Sequence, residues 1–242
     1  MKYGIISDIH GNLEALNAVL AKCEELGVMQ YICGGDLVGY NANPSECLEI
    51  VRNLPMAAMV KGNHDEEASI NSDLSEFNPQ AAKAIEWTRE QLSTEQKEFL
   101  AALPYKSRAG RITVVHASLD EPEQWGYVMD SYAAEASLSY QYSQICFYGH
   151  SHVPMAFDRN NGEIQMMQST TFVVEPGHKY LINPGSVGQP RDKDPSASFA
   201  IYNTETCQVE LFRVEYDVAL TQKKIIDAGL PARLAERLEF GH

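Results

Sequence analysis

Tyr3-Gly4-Ile5-Ile6-Ser7-Asp8-Ile9-His10-Gly11-Asn12 is the stretch around which the rest of the chain is arranged. Its first four residues are mostly apolar and β-prone, which predicts a short buried strand. Residues 13–20 have helical spacing, with Asn12 as the N-cap. Asp8 and His10 therefore follow the end of a strand, where open α/β sheets bind ligands. An i, i+2 pair leaving an extended strand points to one side, so we expect the carboxylate and the imidazole to converge on one cation.

The composition is that of a globular protein with a sizeable core. The chain has 242 residues, of which 44% are hydrophobic and 21% charged. This length suits one large domain, which we assign to residues 1–242. No apolar run approaches the roughly 20 residues that span a bilayer, and the first residues lead directly into a strand. We therefore expect a cytoplasmic protein without a membrane partner.

The charge balance limits the class of partner. The formal net charge is −14 and no run of Lys or Arg offers a basic face, so a long nucleic acid is not an expected partner. A small phosphorylated substrate is compatible with this charge, because divalent cations dominate the local potential of a site. The five cysteines are scattered without Cys-x-x-Cys spacing, which is typical of reduced thiols.

The order of the predicted elements in the first half indicates an α/β fold. Strands at 3–6, 30–33 and 56–60 alternate with helices at 13–27 and 43–54. This alternation predicts a parallel β-α-β-α-β unit with right-handed crossovers.

Short strands dominate the second half. A helical stretch at 78–103, divided at Ser93-Thr94 without a capping box, separates them from the parallel unit. Asn160-Asn161-Gly162 is a hairpin signal in this half. Helices at 217–228 and 231–238 end the chain. Together the two halves predict two mixed β-sheets flanked by helices, an α+β-like four-layer sandwich within the α/β class.

Five strand ends carry side chains that bind divalent cations. In chain order these are Asp8 with His10, Asp36, Asn63 with His64, His116, and His150 with His152. A single histidine at such a position is most often a hydrogen-bonded structural residue. Five successive strand ends with metal-ligand chemistry are not explained in that way, so the set predicts a metal site.

The same set of motifs resembles the calcineurin-like metallophosphoesterases. That superfamily carries Asp-x-His, Gly-Asp, Gly-Asn-His-Asp/Glu, His and Gly-His-x-His in this order, and the match extends over residues 1–205. The chain is similar to the small prokaryotic phosphoesterase branch, which is distantly related to dinucleoside tetraphosphatases and Ser/Thr phosphatases.

The resemblance implies two metal ions, each a divalent or trivalent transition metal such as Mn, Fe, Zn or Co. By this resemblance one ion is held by Asp8, His10, Asp36 and His152, and the other by Asp36, Asn63, His116 and His150. A bridging carboxylate lets two cations lie about 3.5–4 Å apart, where a shared water becomes hydroxide near neutral pH.

The implied activity is hydrolysis of a small phosphodiester, phosphomonoester or nucleotide, dinucleoside polyphosphates included, by attack of the metal-bridging hydroxide. Asp36 and His64 would be the catalytic residues, and Asn12, His64 and Arg191 would bind the substrate. The resemblance implies that His64 contacts the phosphate and protonates the leaving oxygen, for which a pKa near 6.5 is suitable. Phosphate contact alone is the alternative.

Two segments refine the class of substrate. Residues 35–41 lack the acidic and arginine residues that follow Gly-Asp in protein Ser/Thr phosphatases. A phosphoprotein substrate is thus disfavoured, and this segment supplies no carboxylate to orient His64. Residues 183–191 resemble the closing loop of the prokaryotic branch, whose glycines would allow close approach to a phosphate and whose Arg191 would pair with a phosphate oxygen. An ordinary Pro/Gly turn with an exposed arginine is the alternative.

Other functions stay open at this point. A non-catalytic scaffold of the same fold and a protein phosphatase are the alternatives, although a scaffold has no need of seven metal-ligating side chains. The negative charge disfavours a nuclease. Tyr40, Trp125 and Tyr127 either stack on an aromatic leaving group or pack in the core and at the rim.

Overall fold

The computed structural model describes residues 1–75 and 77–242. Within them, twelve strands form two mixed sheets. The strands are β1 (Lys2–Ile6), β2 (Gln30–Cys33), β3 (Met56–Met59), β4 (Lys106–Ala109), β5 (Ile112–Val115), β6 (Ile145–Phe147), β7 (Met155–Asn160), β8 (Glu163–Met166), β9 (Thr171–Val173), β10 (Lys179–Asn183), β11 (Ala197–Asn203) and β12 (Gln208–Val214). The first sheet has the order β3-β2-β1-β11-β12-β9, and the second has the order β4-β5-β6-β10-β7-β8.

Eight α-helices occur in the same described residues. They are α1 (Leu13–Glu25), α2 (Pro44–Asn53), α3 (Asn63–Ser69), α4 (Pro79–Gln91), α5 (Thr94–Ala102), α6 (Ser131–Ser139), α7 (Val218–Asp227) and α8 (Ala232–Glu236). Two short 3₁₀ helices lie at Pro122–Gln124 and Arg237–Glu239.

The predicted parallel unit is confirmed. Strand β1 runs parallel to β2, with Ile5 beside Ile32, and β2 runs parallel to β3. Asn12 caps α1 as predicted, because its side chain accepts a hydrogen bond from Ala15 N at 3.1 Å. Helix α2 begins at Pro44, a favoured first position. The α/β class with two mixed sheets is therefore the observed architecture.

Alternating side chains of β1 build the layers. Ile5 packs with Val114 of β5, between the two sheets. Its neighbour Ile6 points to the opposite face and packs with helical residues such as Leu16 of α1. Leu138 of α6 covers the outer face of the second sheet. Helices on both outer faces give the four layers that the sequence predicts.

Three regular elements and one helix cap were not anticipated. Strand β4, which pairs antiparallel with β5, strand β8, which pairs antiparallel with β7, and the short helix α3 are absent from the sequence-based prediction. A capping box does open α5, contrary to prediction: Ser93 Oγ accepts from Gln96 N at 3.2 Å, and Gln96 Oε1 accepts from Ser93 N at 3.0 Å. The prediction took Thr94 as the first residue of a possible box, whereas the box begins one residue earlier, at Ser93.

Several smaller predictions can be compared with the structure. Asn161 and Gly162 have φ angles of +49° and +89° and join β7 to β8, so the hairpin is confirmed. All five cysteines are free, as expected. Among the described residues, no helix combines the length and apolarity needed to cross a membrane. Assignment of residues 1–242 to one domain stays a prediction.

Candidate metal centre

Five of the predicted ligands have a left-handed backbone. The φ angles lie between +49° and +66° in Asp8, His10, Asp36, His150 and His152. Non-glycine residues seldom adopt this region, and functional sites concentrate such strain. Hydrogen bonds between the turns maintain it, because Asp8 N donates to Gly35 O and His10 N donates to Asp36 O, both at 2.9 Å. Asp8 and His10 therefore converge through a tight turn, not through the extended strand end that we expected.

These turns bring the predicted ligands into two groups that share Asp36. Within each group, one potential ligand atom of every residue lies within 4.8 Å of those of the others. The groups are Asp8, His10, Asp36 and His152, and Asp36, His116 and His150. All six residues are buried. Apart from Asn63, the grouping coincides with the two ligand sets that the resemblance implies, although their role as ligands stays a prediction.

Backbone carbonyls determine which imidazole nitrogen is available. Nδ1 lies 3.0 Å from Val38 O in His10, 2.7 Å from Gly34 O in His116 and 2.6 Å from Gln189 O in His152. A carbonyl only accepts, so each neutral ring carries its proton on Nδ1 and presents the Nε2 lone pair. Nε2 of His10 and Nε2 of His152 are 3.1 Å apart. Two lone pairs at that distance repel each other unless a positive charge lies beside both.

Other donor atoms at the centre also fit a cation. Asn63 Oδ1 is buried without a hydrogen-bond partner among the described residues, which without a ligand costs about 1–3 kcal/mol. Asp36 Oδ2 lies 3.5 Å from His10 Nε2 and 3.3 Å from His116 Nε2. Carboxylate, amide oxygen and imidazole together suit Mn, Fe, Zn or Co. The residues therefore fit the implied metal ions, whose number and identity stay predictions.

The protonation of the imidazoles is consistent with metal binding. Burial lowers the pKa of His10 and of His152 well below the ordinary value, and that of His150 to about 3. These rings are neutral at pH 7 and available to a cation. Burial also opposes charge on His116, but the adjacent Asp36 carboxylate raises its pKa to about 9. A cation bound beside Asp36 would favour the neutral form of His116, because metal binding competes with protonation of the ring.

Asp65 is a functional residue that the sequence analysis missed. Its carboxylate is fully buried and accepts hydrogen bonds from Leu37 N at 2.8 Å and from Gly62 N at 3.0 Å. These bonds join the turn of Asp36 to the first turn of α3, which carries Asn63. A sequence signal was available, because Asp65 stands three residues after the N-cap Gly62, the acceptor position of a capping box. Asp65 is thus a positioning residue for two of the predicted ligands.

The closing loop, residues 183–191, is hydrogen-bonded to the turn that carries Asp8. Gly188 N donates to Asp8 O at 2.9 Å, and Ser186 Oγ donates to the same oxygen at 2.8 Å. A Cβ on Gly188 would lie 1.8 Å from Ile9 O. Glycine is therefore needed for close approach to the protein's own backbone. The expectation that the loop glycines allow close approach to a phosphate stays a prediction.

Gly188→Ala should destabilise the fold by about 3 kcal/mol or more. Overpacking usually costs about 1–3 kcal/mol, and here the obstacle is a backbone oxygen next to Asp8. Unfolding in urea measures the change. Gly126→Ala is the matched control, because its Cβ would meet only the side chain of Ser118, at 3.3 Å, and we expect a loss of less than about 1 kcal/mol. Equal losses in the two variants would contradict this account of Gly188.

Asn12 is occupied by contacts within the protein. Besides capping α1, its Nδ2 donates to Gly188 O at 2.9 Å, and the residue is fully buried. Its predicted contact with the substrate stays a prediction, with both ends of the amide already hydrogen-bonded.

A cavity of about 350 Å³ adjoins the two ligand groups. Asp36, His150 and His152 contribute to its floor, so the candidate metal centre is accessible from it. Asn63, His64 and Arg191 are also exposed to this space. The cavity thus joins the predicted ligands to two of the predicted substrate-binding residues.

His64 lines the cavity, and among residues 1–75 and 77–242 no carboxylate is hydrogen-bonded to its ring. Its Nδ1 is buried, has no hydrogen-bond partner among the described residues, and faces Gly39, where a Cβ would come within 2.5 Å of it. Apart from Asp36, which accepts from the backbone N of His64 at 2.9 Å, residues 35–41 contain no acidic side chain, and the prediction that this segment does not orient the ring stays a prediction. Burial lowers the pKa of His64 to about 4, although Asp36 opposes the shift. This environment favours a neutral ring.

Arg191 presents a guanidinium to the same cavity. Nη2 donates to Tyr40 Oη at 3.3 Å and to Gln189 Oε1 at 3.2 Å, and the guanidinium lies 5.7 Å from the centre of the Tyr40 ring. Nε is buried without a hydrogen-bond partner, and no ion pair of Arg191 is found within residues 1–75 and 77–242. An arginine in this state retains its capacity to bind an anion.

Aromatic residues line the other side of the cavity. Tyr127 stacks on His150 with ring centres 4.2 Å apart and is 56% exposed. Trp125 adopts a left-handed backbone and lies edge-on to His116, at 5.8 Å. Tyr40 also lines the cavity, but it is only 9% exposed and packs against His64. Stacking on a leaving group stays a prediction for all three aromatic residues, and Tyr127 offers the largest exposed surface.

Comparison with known proteins agrees with the geometry. A family model described as the calcineurin-like phosphoesterase superfamily domain matches residues 1–207. An uncharacterized protein from Methanocaldococcus jannaschii is 39% identical over 241 residues, which are 98% of this chain and 97% of that protein.

Two solved structures extend over the whole chain. The metallophosphoesterase from Sphaerobacter thermophilus is 40% identical with a TM-score of 0.88, and the match covers 100% of this chain and 99% of that one. A hypothetical protein from Pyrococcus horikoshii OT3 is 22% identical with a TM-score of 0.82, and the match covers 100% of this chain and 98% of that one. At this identity the likeness shows a shared fold alone. With the family model and the 40% identical structure in agreement over nearly all its length, this chain belongs to the calcineurin-like phosphoesterase superfamily.

Proposed function

We propose that the protein is a binuclear metal-dependent phosphoesterase of the cytoplasm that hydrolyses a small phosphodiester, phosphomonoester or nucleotide. The observation that carries the proposal is the pair of buried ligand groups sharing Asp36, which lie beside a cavity that also contains Arg191. Both features suit a phosphate ester, because its oxygens carry charge that cations and guanidinium groups neutralise.

The residues around the cavity would have different roles in this reaction. The first group would hold one ion, and the second group with Asn63 would hold the other. When bound, such cations supply Lewis acidity and lower the pKa of water toward neutrality. Arg191 binds a non-bridging phosphate oxygen and orients the ester. His64, which like Arg191 lies beside Tyr40 in the cavity, donates a hydrogen bond to the phosphate or to the leaving oxygen.

The aromatic side of the cavity favours esters with a flat leaving group. One face of the Tyr127 ring is covered by His150, and its large exposure leaves other surface free for stacking. Stacking on an exposed aromatic ring contributes about 1–3 kcal/mol per base. We therefore propose that aryl and nucleoside esters are better substrates than glycerol phosphate.

Two alternatives remain to be tested against this proposal. A non-catalytic scaffold would not need two buried imidazoles whose Nε2 atoms lie 3.1 Å apart, an arrangement that a bound cation would stabilise. A protein phosphatase is disfavoured because Gly39, not an acidic residue, faces His64.

A substrate panel with controlled metal content tests the function. The protein is stripped with a chelator, reloaded separately with Mn, Fe, Zn or Co, and assayed with aryl and alkyl phosphomonoesters, bis-aryl phosphodiesters, nucleotides and a phosphopeptide. We expect hydrolysis of small esters with at least one metal and none after chelation. No metal-dependent hydrolysis of any ester would refute the proposal, and preference for the phosphopeptide would favour the protein phosphatase.

Arg191→Ala should raise KM about 10-fold or more and change kcat much less. A hydrogen bond to a charged group contributes about 1.5–3 kcal/mol, and Arg191 would grip the phosphate equally in the ground and transition states. Steady-state kinetics on the best ester of the panel measure both constants. Arg191→Lys is the control and should recover part of the affinity, because it keeps the charge but not the planar fork. Wild-type values for both constants in Arg191→Ala would show that the loop is merely structural.

A further inference from the structure

Residues 218–242, which we name the C-terminal cap, follow the part of the chain that the family model matches. The cap consists of α7, α8 and the last 3₁₀ helix. It is attached beside the candidate metal centre, since Thr221 Oγ1 donates to Asn12 Oδ1 at 3.3 Å and Lys224 Nζ donates to Asn43 Oδ1 at 3.1 Å. From this location the cap contributes to the site in two ways.

The first contribution is the wall behind Tyr40. The Tyr40 ring is 9% exposed and belongs to one apolar cluster with Leu234 and Leu238 of the cap. The ring centre lies 4.4 Å from that of His64, and Arg191 bonds to the phenol oxygen. Packing by the cap therefore fixes the ring on which the Arg191 guanidinium rests.

The second contribution is a contact with the chain just after Arg191. Lys193 N donates to Gly241 O at 2.9 Å. A Cβ on Gly241 would lie 2.7 Å from the backbone of Asp194, and the φ of Gly241 is +63°. Only glycine fits this position without strain, so the end of the cap is closely apposed to the segment that carries Arg191.

We propose that the C-terminal cap positions Arg191 to bind the phosphate group of the substrate, through Tyr40 and Gly241. This inference rests on the proposed function in that Arg191 is taken to bind phosphate. A long arginine side chain loses rotamer freedom on binding, and prior contact with Tyr40 removes part of that loss before the ligand arrives. Loosening the cap should weaken phosphate binding and leave the metal centre intact.

Leu238→Ala in the full-length, metal-loaded protein tests the inference. We expect KM, and the dissociation constant of inorganic phosphate measured by calorimetry, to rise about 5- to 10-fold. This is no more than the loss of a hydrogen bond to a charged group would cause. Metal content should be unchanged, and kcat should stay within about twofold of the wild-type value. Leu138→Ala is the matched control, because Leu138 is equally buried in the cluster under α6. It should lower the melting temperature similarly and leave phosphate affinity unchanged.

A double-mutant cycle separates positioning from general loosening. In an Arg191→Ala background, Leu238→Ala should cause no further loss of phosphate affinity. Additive losses, or an unchanged affinity in the single variant, would overturn the inference. If Leu238→Ala does not fold, Tyr40→Phe and Gly241→Ala replace it, with the same expectations.

These experiments test the inference separately from the proposed function, because phosphate binding can be measured without turnover. Normal phosphate binding without hydrolysis of any ester would refute the proposed function alone. Phosphate affinity that is insensitive to the cap variants would refute the inference alone. A wild-type protein that binds no phosphate would refute both.

Discussion

Asp36→Asn should remove bound metal from both positions and lower kcat/KM by more than about 10³-fold. Loss of a single transition-state donor costs about 10²–10³-fold, and Asp36 is the residue common to both ligand groups. Its Oδ2 lies within 3.5 Å of an imidazole of each group, and its Oδ1 accepts from His64 N at 2.9 Å. An amide has no charge and only one acceptor oxygen, so it cannot replace a carboxylate between two cations.

Metal analysis of the purified variant gives the decisive measurement. We expect less than one metal per chain in Asp36→Asn. Asp8→Asn is the control, because Asp8 belongs to one group only and its variant should retain metal in the other. Circular dichroism and the melting temperature show whether either variant is folded. An Asp36→Asn protein with two metals per chain and wild-type turnover would disprove that Asp36 serves both positions.

Much of the centre could be anticipated because the fold places the ends of parallel strands together. The chain positions of Asp8, Asp36, Asn63, His116 and His150 follow from short apolar runs that end in polar residues. Once the strands align, their carboxyl ends meet, and ligands distant in sequence become neighbours. Local patterns thus indicate which residues converge, even though they do not give the geometry.

The features that the sequence did not reveal depend on tertiary contacts. The left-handed turns at Asp8 and His10 are held by carbonyl oxygens of another loop. The role of Gly188 depends on Ile9, far away in the chain. The contact of the C-terminal cap with Tyr40 likewise joins residues that no short-range pattern connects. Each of these depends on packing between segments, for which a single sequence carries no periodic signal.

His64→Ala should lower kcat about 10²–10³-fold and keep both metal groups loaded, because His64 is not a member of either group. Both roles of His64, general acid with phosphate contact and phosphate contact alone, stay predictions, and we expect phosphate contact alone. An acid must be protonated before the leaving oxygen departs, and an imidazolium needs a partner for its second N–H. Here Nδ1 is buried against Gly39 with no acceptor among the described residues, and burial lowers the pKa of His64 to about 4.

Two leaving groups distinguish these roles of His64. An alkyl phosphate needs a proton to depart, whereas p-nitrophenolate leaves as a stable anion, so loss of an acid would affect the alkyl ester far more. Loss of a phosphate contact affects both esters by the same factor, which is the result we expect. His64→Gln should restore part of the rate for both esters by donating from its amide. His178→Ala, which removes a histidine paired with Asp158 outside the centre, is the control and should leave kcat unchanged. A loss at least about tenfold larger for the alkyl ester would show that His64 is protonated in the complex and acts as the acid, although its buried Nδ1 has no partner among the described residues.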